Sequence, residues 1–438
     1  MRPHKLLLES FKVALAAADP LRVVPPHLPK PSRLFGKAGG RTLVIGAGKA
    51  AAAMALVVEN YWPQNARLEG IALTRYDHGL PLQRIKLIEA GHPLPDEKGE
   101  RAAQAILAEV KKLSPDDFLL CLLSGGGSSL LSLPLAGVTL NDIRTITGEL
   151  LRCGAAIQEI NTVRKHLSAI LGGRLAASCR AGVLALIISD VAGDDPTHVA
   201  SGPCAPDPST YHDALAILEY YGVTVPPAVV EALLAGAQGK REETPKPGNA
   251  VFSRVETRII ASGHHSLMAA AEYFRAQGIP SAVLGDSITG EAREVAKVIA
   301  GLVKEIRHHG QPWKPPVALI SGGETTVTLR RGEKGENGKN GGRGGRNTEF
   351  LLSLTIELDG VDNVFALACD SDGIDGTESN AGAIVLPDTL RRARQRGVNP
   401  SVLLAANKAY DFFQQLDDLV ITGPTRTNVN DYRAVLIL

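Results

Sequence analysis

The sequence has almost no excess of either charge: 47 lysines and arginines stand against 46 acids among 438 residues, for a formal net charge of +1. With no basic excess, nucleic acid and anionic membrane surfaces are not the expected partners, and a small ligand is. Cysteine is also scarce. Five are scattered (Cys121, Cys153, Cys179, Cys204, Cys369) with no Cys-x-x-Cys pair, which argues against a zinc cluster or a disulfide framework. Leu6-Leu7-Leu8 is interrupted by Glu9 and Lys12, and no apolar run reaches the roughly 20 residues of a spanning helix. A soluble, cytoplasmic protein is expected. Neither Ser-x-x-Lys nor Gly-x-Ser-x-Gly occurs, so no nucleophile sits on a recognisable elbow.

Short apolar runs alternating with helical patterns make up most of the chain. A helix is expected over 4–18, with Leu8, Phe11 and Leu15 on one face, before a proline-rich stretch from Pro20 to Pro31. Strands are expected at 42–45, 71–74, 85–89, 118–123 and 183–188, with helices at 49–60 and 97–112 among them. This pattern implies an α/β fold with a parallel sheet covered on both faces. The polar segment Glu242 to Asn249 holds two prolines and places a domain boundary near 245, giving two α/β domains, 1–245 and 246–438. Alternation then resumes to a closing strand over 433–438, which could return to the first domain. The Gly-rich stretch from Arg330 to Arg346 is too polar to pack. Its Gly338-Lys339 fails as a P-loop because Asn340 stands where Ser or Thr should bind magnesium.

Two apolar runs end alike, in Leu122-Leu123-Ser124-Gly125-Gly126-Gly127-Ser128-Ser129 and Leu319-Ile320-Ser321-Gly322-Gly323-Glu324. Each is a candidate anion cradle, where backbone N–H groups approach a phosphate with no Cβ in the way. A following helix would add its positive end. A third turn, Gly46-Ala47-Gly48-Lys49-Ala50-Ala51, fits the loose dinucleotide pattern after a strand, but Thr74-Arg75 stands where an acid would hold a ribose. Lys49, at the start of a helix already favourable to anions, makes sense if an anion arrives there.

Acids follow other strands. Asp190, Asp194 and Asp195 lie beyond 183–188, and Asp370, Asp372 and Asp375 beyond 364–368. Such carboxylates can hold Mg²⁺, accept a hydroxyl proton or cap turns. The second group resembles half of a calcium loop but has Ala381 at the twelfth position. Arg346, after Gly344-Gly345, offers a planar fork for a phosphoryl group or carboxylate.

Taken in order, these motifs resemble the class II glycerate kinases, or glycerate 2-kinases, and the carboxyl-terminal half is similar to their MOFRL domain. Gly423-Pro424-Thr425-Arg426-Thr427-Asn428-Val429-Asn430-Asp431 resembles the family's terminal signature, with Arg426 where glycine is more usual. The resemblance implies a Rossmann-like parallel-sheet domain and a smaller α/β domain with the site in a cleft. It implies transfer of the γ-phosphoryl group of ATP to D-glycerate, giving 2-phosphoglycerate, with Mg²⁺ as cofactor. Carried over by motif, Lys49 and Arg346 would be the catalytic cations; Asp195, read from its place beyond a strand, is a candidate for the hydroxyl proton. Ser124, Gly125, Gly126, Gly127, Ser128 and Ser129, with Gly322 and Gly323, bind nucleotide phosphates, and Asp190, Glu324 and Asp372 are candidate metal ligands. The same family is often labelled hydroxypyruvate reductase, so an NAD(P)H-dependent reductase is the alternative. Oligomeric state is left open, with a homodimer among the options.

Overall fold

The computed structural model describes residues 2–30, 40–329 and 342–438; the Gly338-Lys339 stretch lies outside the described residues. The chain divides into two compact units, Pro20–Ala261 and Met1–Asp19 with Ser262–Leu438.

The unit Pro20–Ala261 is built on six strands: β1 (Thr42–Ala47), β2 (Leu68–Arg75), β3 (Ile85–Ala90), β4 (Phe118–Ser124), β5 (Gly182–Ser189) and β6 (Val255–Ser262). Their order is β3-β2-β1-β4-β5-β6, and β1 pairs in parallel with both β2 and β4, as β2 does with β3 and β4 with β5. This is the doubly wound order of nucleotide-binding sheets. Every residue of β1 is buried, as are all but the first of β4 and β5. Strands covered on both faces read as unbroken apolar runs, which is why the sequence revealed them. The helix Glu97–Lys111 begins where Asp96 accepts the Gly99 N–H at 2.9 Å, and its Ala102, Ala103, Ile106 and Val110 stripe enters the core. The helices Leu140–Arg152, Ile157–His166, Tyr211–Tyr220 and Pro227–Ala237 enclose a second apolar cluster of their own.

The other unit carries β7 (Ser281–Gly285), β8 (Gly290–Glu291), β9 (Val317–Ser321), β10 (Thr325–Thr326), β11 (Val364–Asp370), β12 (Gly382–Val385), β13 (Leu419–Val420) and β14 (Asp431–Ile437). Its main sheet runs β13-β12-β11-β14-β9-β7, while β8 and β10 pair apart from it. Parallel pairing does not extend to this sheet as a whole. β14 lies between β9 and β11, antiparallel to both, and β12 is antiparallel to β11. The closing strand therefore belongs to the carboxyl-terminal sheet and does not return to the first.

The boundary also differs from the expected one. Glu242 to Asn249 forms a loop inside the first unit, where the Asp207 N–H donates to the Pro245 carbonyl at 2.9 Å and Thr244 is buried. The next strand, β6, completes the first sheet, which moves the division to Ala261/Ser262. The amino-terminal helix Pro3–Ala16 goes the other way. Leu6, Leu7, Phe11 and Ala14 share a core with Leu267, Phe274 and Tyr432, and Tyr432 Oη lies 2.8 Å from Ser10 Oγ. Among the described residues, no helix is long and apolar enough to cross a membrane.

Candidate active site

Two Gly-rich turns leave the first sheet side by side, because β1 and β4 are parallel neighbours with Ala47 opposite Leu123. The strand order reverses between them, and open α/β sheets bind ligands beyond the carboxyl ends of strands at such a point. Gly48 has φ 129°, and a Cβ there would stand 2.2 Å from Ser124 Oγ, so the turns approach this closely only because residue 48 lacks a side chain. Two hydrogen bonds close the contact: Lys49 N–H donates to the Gly125 carbonyl at 2.9 Å and Ala50 N–H to Ser124 Oγ at 3.0 Å.

That contact redistributes the expected roles. Ser124, expected as a phosphate ligand, is fully buried and accepts the Ala50 N–H beside the helix Ala51–Tyr61. Ser129 also turns inward, donating from Oγ to the Gly126 carbonyl at 3.1 Å. Among the described residues, the N–H groups of Gly125, Gly126 and Gly127 make no turn or loop hydrogen bond, so the cradle narrows to these amides and Ser128. The helix that follows is a single turn, Gly127–Leu130, and supplies little of the dipole expected there. Lys49 is half-buried, and Gly126 lies between it and His92. A Cβ on Gly126 would be 3.5 Å from Lys49 Cγ and 2.7 Å from His92 Nε2.

A polar network beside this cradle carried no sequence motif. Ser201 Oγ lies 2.8 Å from Ser128 Oγ and 3.1 Å from Asn161 Oδ1, and Arg164 donates from Nη1 to the same Oδ1 at 3.0 Å. A guanidinium only donates, so its contact fixes which amide atom is the oxygen. Ala200 and Ser201 both adopt positive φ, 50° and 55°, a conformation costly for residues with a Cβ. Among the described residues Arg164 pairs with no carboxylate, and burial alone pushes its pKa down to about 10. It remains charged at neutral pH. The next residue does have a partner: Lys165 Nζ is 2.8 Å from Asp207 Oδ1, both buried. Burial raises the Asp207 pKa, but Lys165 and Ser209 outweigh it and hold the carboxyl below the usual range.

Asp190 is half-buried just beyond β5. Asp195 accepts the Thr197 N–H at 2.8 Å, a turn cap with half its side chain exposed, and its Oδ2 is 3.9 Å from His198 Nε2. This geometry commits the carboxylate to the turn and gives no sign of the acid–base role expected for it.

In the other unit, the second Gly-rich turn is not a cradle. No helix follows β9, the Gly322 N–H donates to the Gly285 carbonyl at 2.8 Å, and the Gly322 carbonyl accepts from Arg433 at 2.9 Å. Gly322 and Gly323 instead lead into an arginine–carboxylate cluster. Arg346 opens the helix Arg346–Leu358 and donates from Nε to Asp431 Oδ1, from Nη2 to Asp370 Oδ2 and from Nη1 to Glu324 Oε1, at 2.8, 2.8 and 2.7 Å. Burial disfavours its charge, yet Asp431, Asp370 and Glu324 together raise its pKa well above the ordinary value. Asp431 also accepts from Asn347 Nδ2 at 2.8 Å and from buried Arg433 at 2.5 Å. Asp375 caps the helix, receiving the Asn347 and Thr348 N–H groups at 2.9 and 2.8 Å.

The three acids expected to hold a metal do not form one group. Glu324 is paired with Arg346, and Asp372 Oδ1 accepts the Ile374 N–H at 2.9 Å. Among the described residues, no three His, Cys, Asp or Glu side chains are placed to hold a metal ion. Glu324, Asp370 and Asp431 are arranged around Arg346 and Arg433, and a protein-built Mg²⁺ site does not fit these three.

Comparison with known proteins agrees with the motif order. Residues 6–234 match a domain of unknown function, DUF4147, and residues 317–431 match the MOFRL family. The chain is 39% identical over 436 residues to a D-glycerate 2-kinase of Thermotoga maritima, covering 99% of this chain and 98% of that protein. It is 47% identical over 435 residues, covering 99% and 94%, to a protein of Agrobacterium vitis named a putative hydroxypyruvate reductase. A crystal structure of glycerate kinase from Thermotoga maritima superposes with a TM-score of 0.84 at 38% identity, covering 99% of both chains. With both regions present in order and full-length relatives well above 30% identity, the chain belongs to the glycerate 2-kinase, or class II glycerate kinase, family.

Proposed function

We propose that the protein transfers the γ-phosphoryl group of ATP to D-glycerate, giving 2-phosphoglycerate. The observation that carries this reading is the placement of Lys49 at the point where the strand order of the sheet reverses, beside the amides of Gly125, Gly126 and Gly127. Phosphoryl transfer needs positioning and neutralisation of charge on the phosphoryl oxygens more than it needs covalent chemistry. The amides hold phosphate oxygens, and the Lys49 ammonium neutralises charge that develops on the transferred group. In the other unit, the outer edge of Arg346 is the part that can change partners. Its Nη1 faces Glu324, whose side chain is 57% exposed, whereas Asp370 and Asp431 hold the inner edge and are 7% and 0% exposed. An anionic oxygen that displaced Glu324 would leave the guanidinium oriented by its two buried acids.

The names of the Agrobacterium vitis relatives keep a reductase reading in view. The local geometry opposes it. A dinucleotide's pyrophosphate needs the amides at the start of the helix after β1, and here Lys49 and Ala50 donate theirs to Gly125 and Ser124. A paired assay on one preparation separates the readings. Release of ADP from Mg-ATP that depends on D-glycerate, without oxidation of NAD(P)H by hydroxypyruvate, is expected; the reverse would reject the kinase.

A further inference from the structure

The polar network beside the cradle has donors that the fold does not use. Asn161 is 3% exposed, and its Oδ1 is saturated by Arg164 and Ser201, so its Nδ2 faces away from both. Among the described residues no group accepts from Nδ2, and the Arg164 guanidinium has Oδ1 as its one acceptor, with no acid balancing its charge. These donors are not sealed from solvent, so an amide N–H and a half-buried guanidinium with no acid beside it stand open to an anionic ligand. Asn161 and Arg164 stand three residues apart on the helix Ile157–His166, a spacing that puts them on one face. The network also touches the cradle: a Cβ on Gly127 would stand 2.6 Å from the Cβ of Ala200, the neighbour of Ser201.

We infer that Asn161 Nδ2 and the free edge of Arg164 form the seat for the carboxylate of the hydroxy-acid substrate, with the Ser128 and Ser201 hydroxyls beside it. The inference rests on the kinase reading for the identity of the ligand. The charge balance selects the carboxylate over the nucleotide. One guanidinium with neutral amide and hydroxyl donors matches a monoanion, whereas a triphosphate would call for several cations. The planar fork of arginine also fits a carboxylate edge. Anchoring the acid here would hold its hydroxyl groups next to the amides of Gly126 and Gly127, where a phosphoryl group would arrive.

The test uses the full chain and two variants. Asn161→Asp keeps an oxygen for Arg164 and Ser201, so the fold stands, while the lost Nδ2 donor becomes a second carboxylate oxygen that repels the substrate. Arg164→Gln removes the cation. For both, KM for D-glycerate should rise about 30- to 100-fold while KM for ATP changes less than about threefold. A rise confined to ATP would assign the seat to nucleotide phosphate, and unchanged constants for both substrates would also overturn the inference. If the wild-type protein shows no kinase activity, calorimetric titration with D-glycerate and with glycerol still decides. Binding of the acid but not of glycerol, lost in Asn161→Asp, would support the carboxylate seat without the kinase reading. Absence of D-glycerate binding to the wild-type protein would overturn it.

Discussion

Replacing Asp431 by Asn should destabilise the carboxyl-terminal unit far more than removing any exposed acid. Asp431 is fully buried and is the carboxylate shared by Arg346 and Arg433. Arg346 would keep Asp370 and Glu324. Arg433, whose side chain is 1% exposed, would keep among the described residues the Gly322 carbonyl, the Thr325 hydroxyl and the face of the Phe350 ring, all neutral. The new amide would also aim a donor at one of the guanidinium groups. Leaving one member of a buried ion pair uncompensated costs about 3–5 kcal/mol. In a unit of roughly 200 residues each kcal/mol shifts Tm by about 2–4 °C, so a fall on the order of 6–20 °C is expected. Differential scanning calorimetry reads this directly. A double variant, Asp431→Asn with Arg433→Met, should recover part of the loss because the orphaned charge is gone. A fall below about 2 °C in the single variant, or no recovery in the double, would refute the assignment of Asp431 as the counter-charge of Arg433.

Three further outcomes follow from the site. Lys49→Ala should lower kcat by about 10²- to 10³-fold, roughly 3 kcal/mol of transition-state stabilisation, with Tm nearly unchanged; unchanged turnover at saturating ATP and D-glycerate would remove Lys49 from the mechanism. Glu324→Gln should leave the Mg²⁺ concentration for half-maximal rate unaltered, because Glu324 pairs with Arg346 and joins no metal-binding group, and a tenfold rise would restore it as a metal ligand. Asp207 has a depressed pKa in the fold, so its pairing with Lys165 stabilises above the unfolded pKa of about 3.9 and is lost as pH falls through the lower folded value. The gap in Tm between the wild-type protein and Asp207→Asn should therefore be full near pH 7 and shrink below about pH 4; a gap independent of pH would show that the pair is not the cause.

How far the sequence discloses such features depends on how local their cause is. Strands β1, β4 and β5 were legible because a strand buried on both faces must be apolar throughout, and that requirement is written in consecutive residues. Sheet membership is not local. β6 looked like the opening of the second domain after a proline-rich loop, and only its place beside β5 assigns it to the first sheet. The amphipathic helix Pro3–Ala16 shows an apolar face but does not name the sheet that receives it. The site divides in the same way. Lys49 follows a strand and a glycine turn, so its position could be read, whereas Asn161, Arg164 and Ser201 converge from separate segments with no shared motif. Even a departure from the family pattern acquires a cause only in three dimensions: Arg426, where glycine is more usual, adopts φ 60°, a conformation that glycine enters without strain.

The two repeated Gly-Gly runs make the same point more sharply, because identical local sequence has opposite consequences. After β4, the strand's parallel neighbour β1 brings Lys49 and Ala50 against Ser124 and Gly125, which leaves the amides of residues 125–127 without a turn or loop acceptor among the described residues and with a lysine beside them. After β9, the neighbour is antiparallel β14, and its Arg433 takes the Gly322 carbonyl while Asp431 draws Arg346 inward. There the Gly322 N–H is already spent on the Gly285 carbonyl, and Arg433 is neutralised by Asp431. The direction of the adjacent strand, and the residues it carries to the strand end, therefore decides whether a Ser-Gly-Gly turn presents its N–H groups to a phosphate or its carbonyl to an arginine.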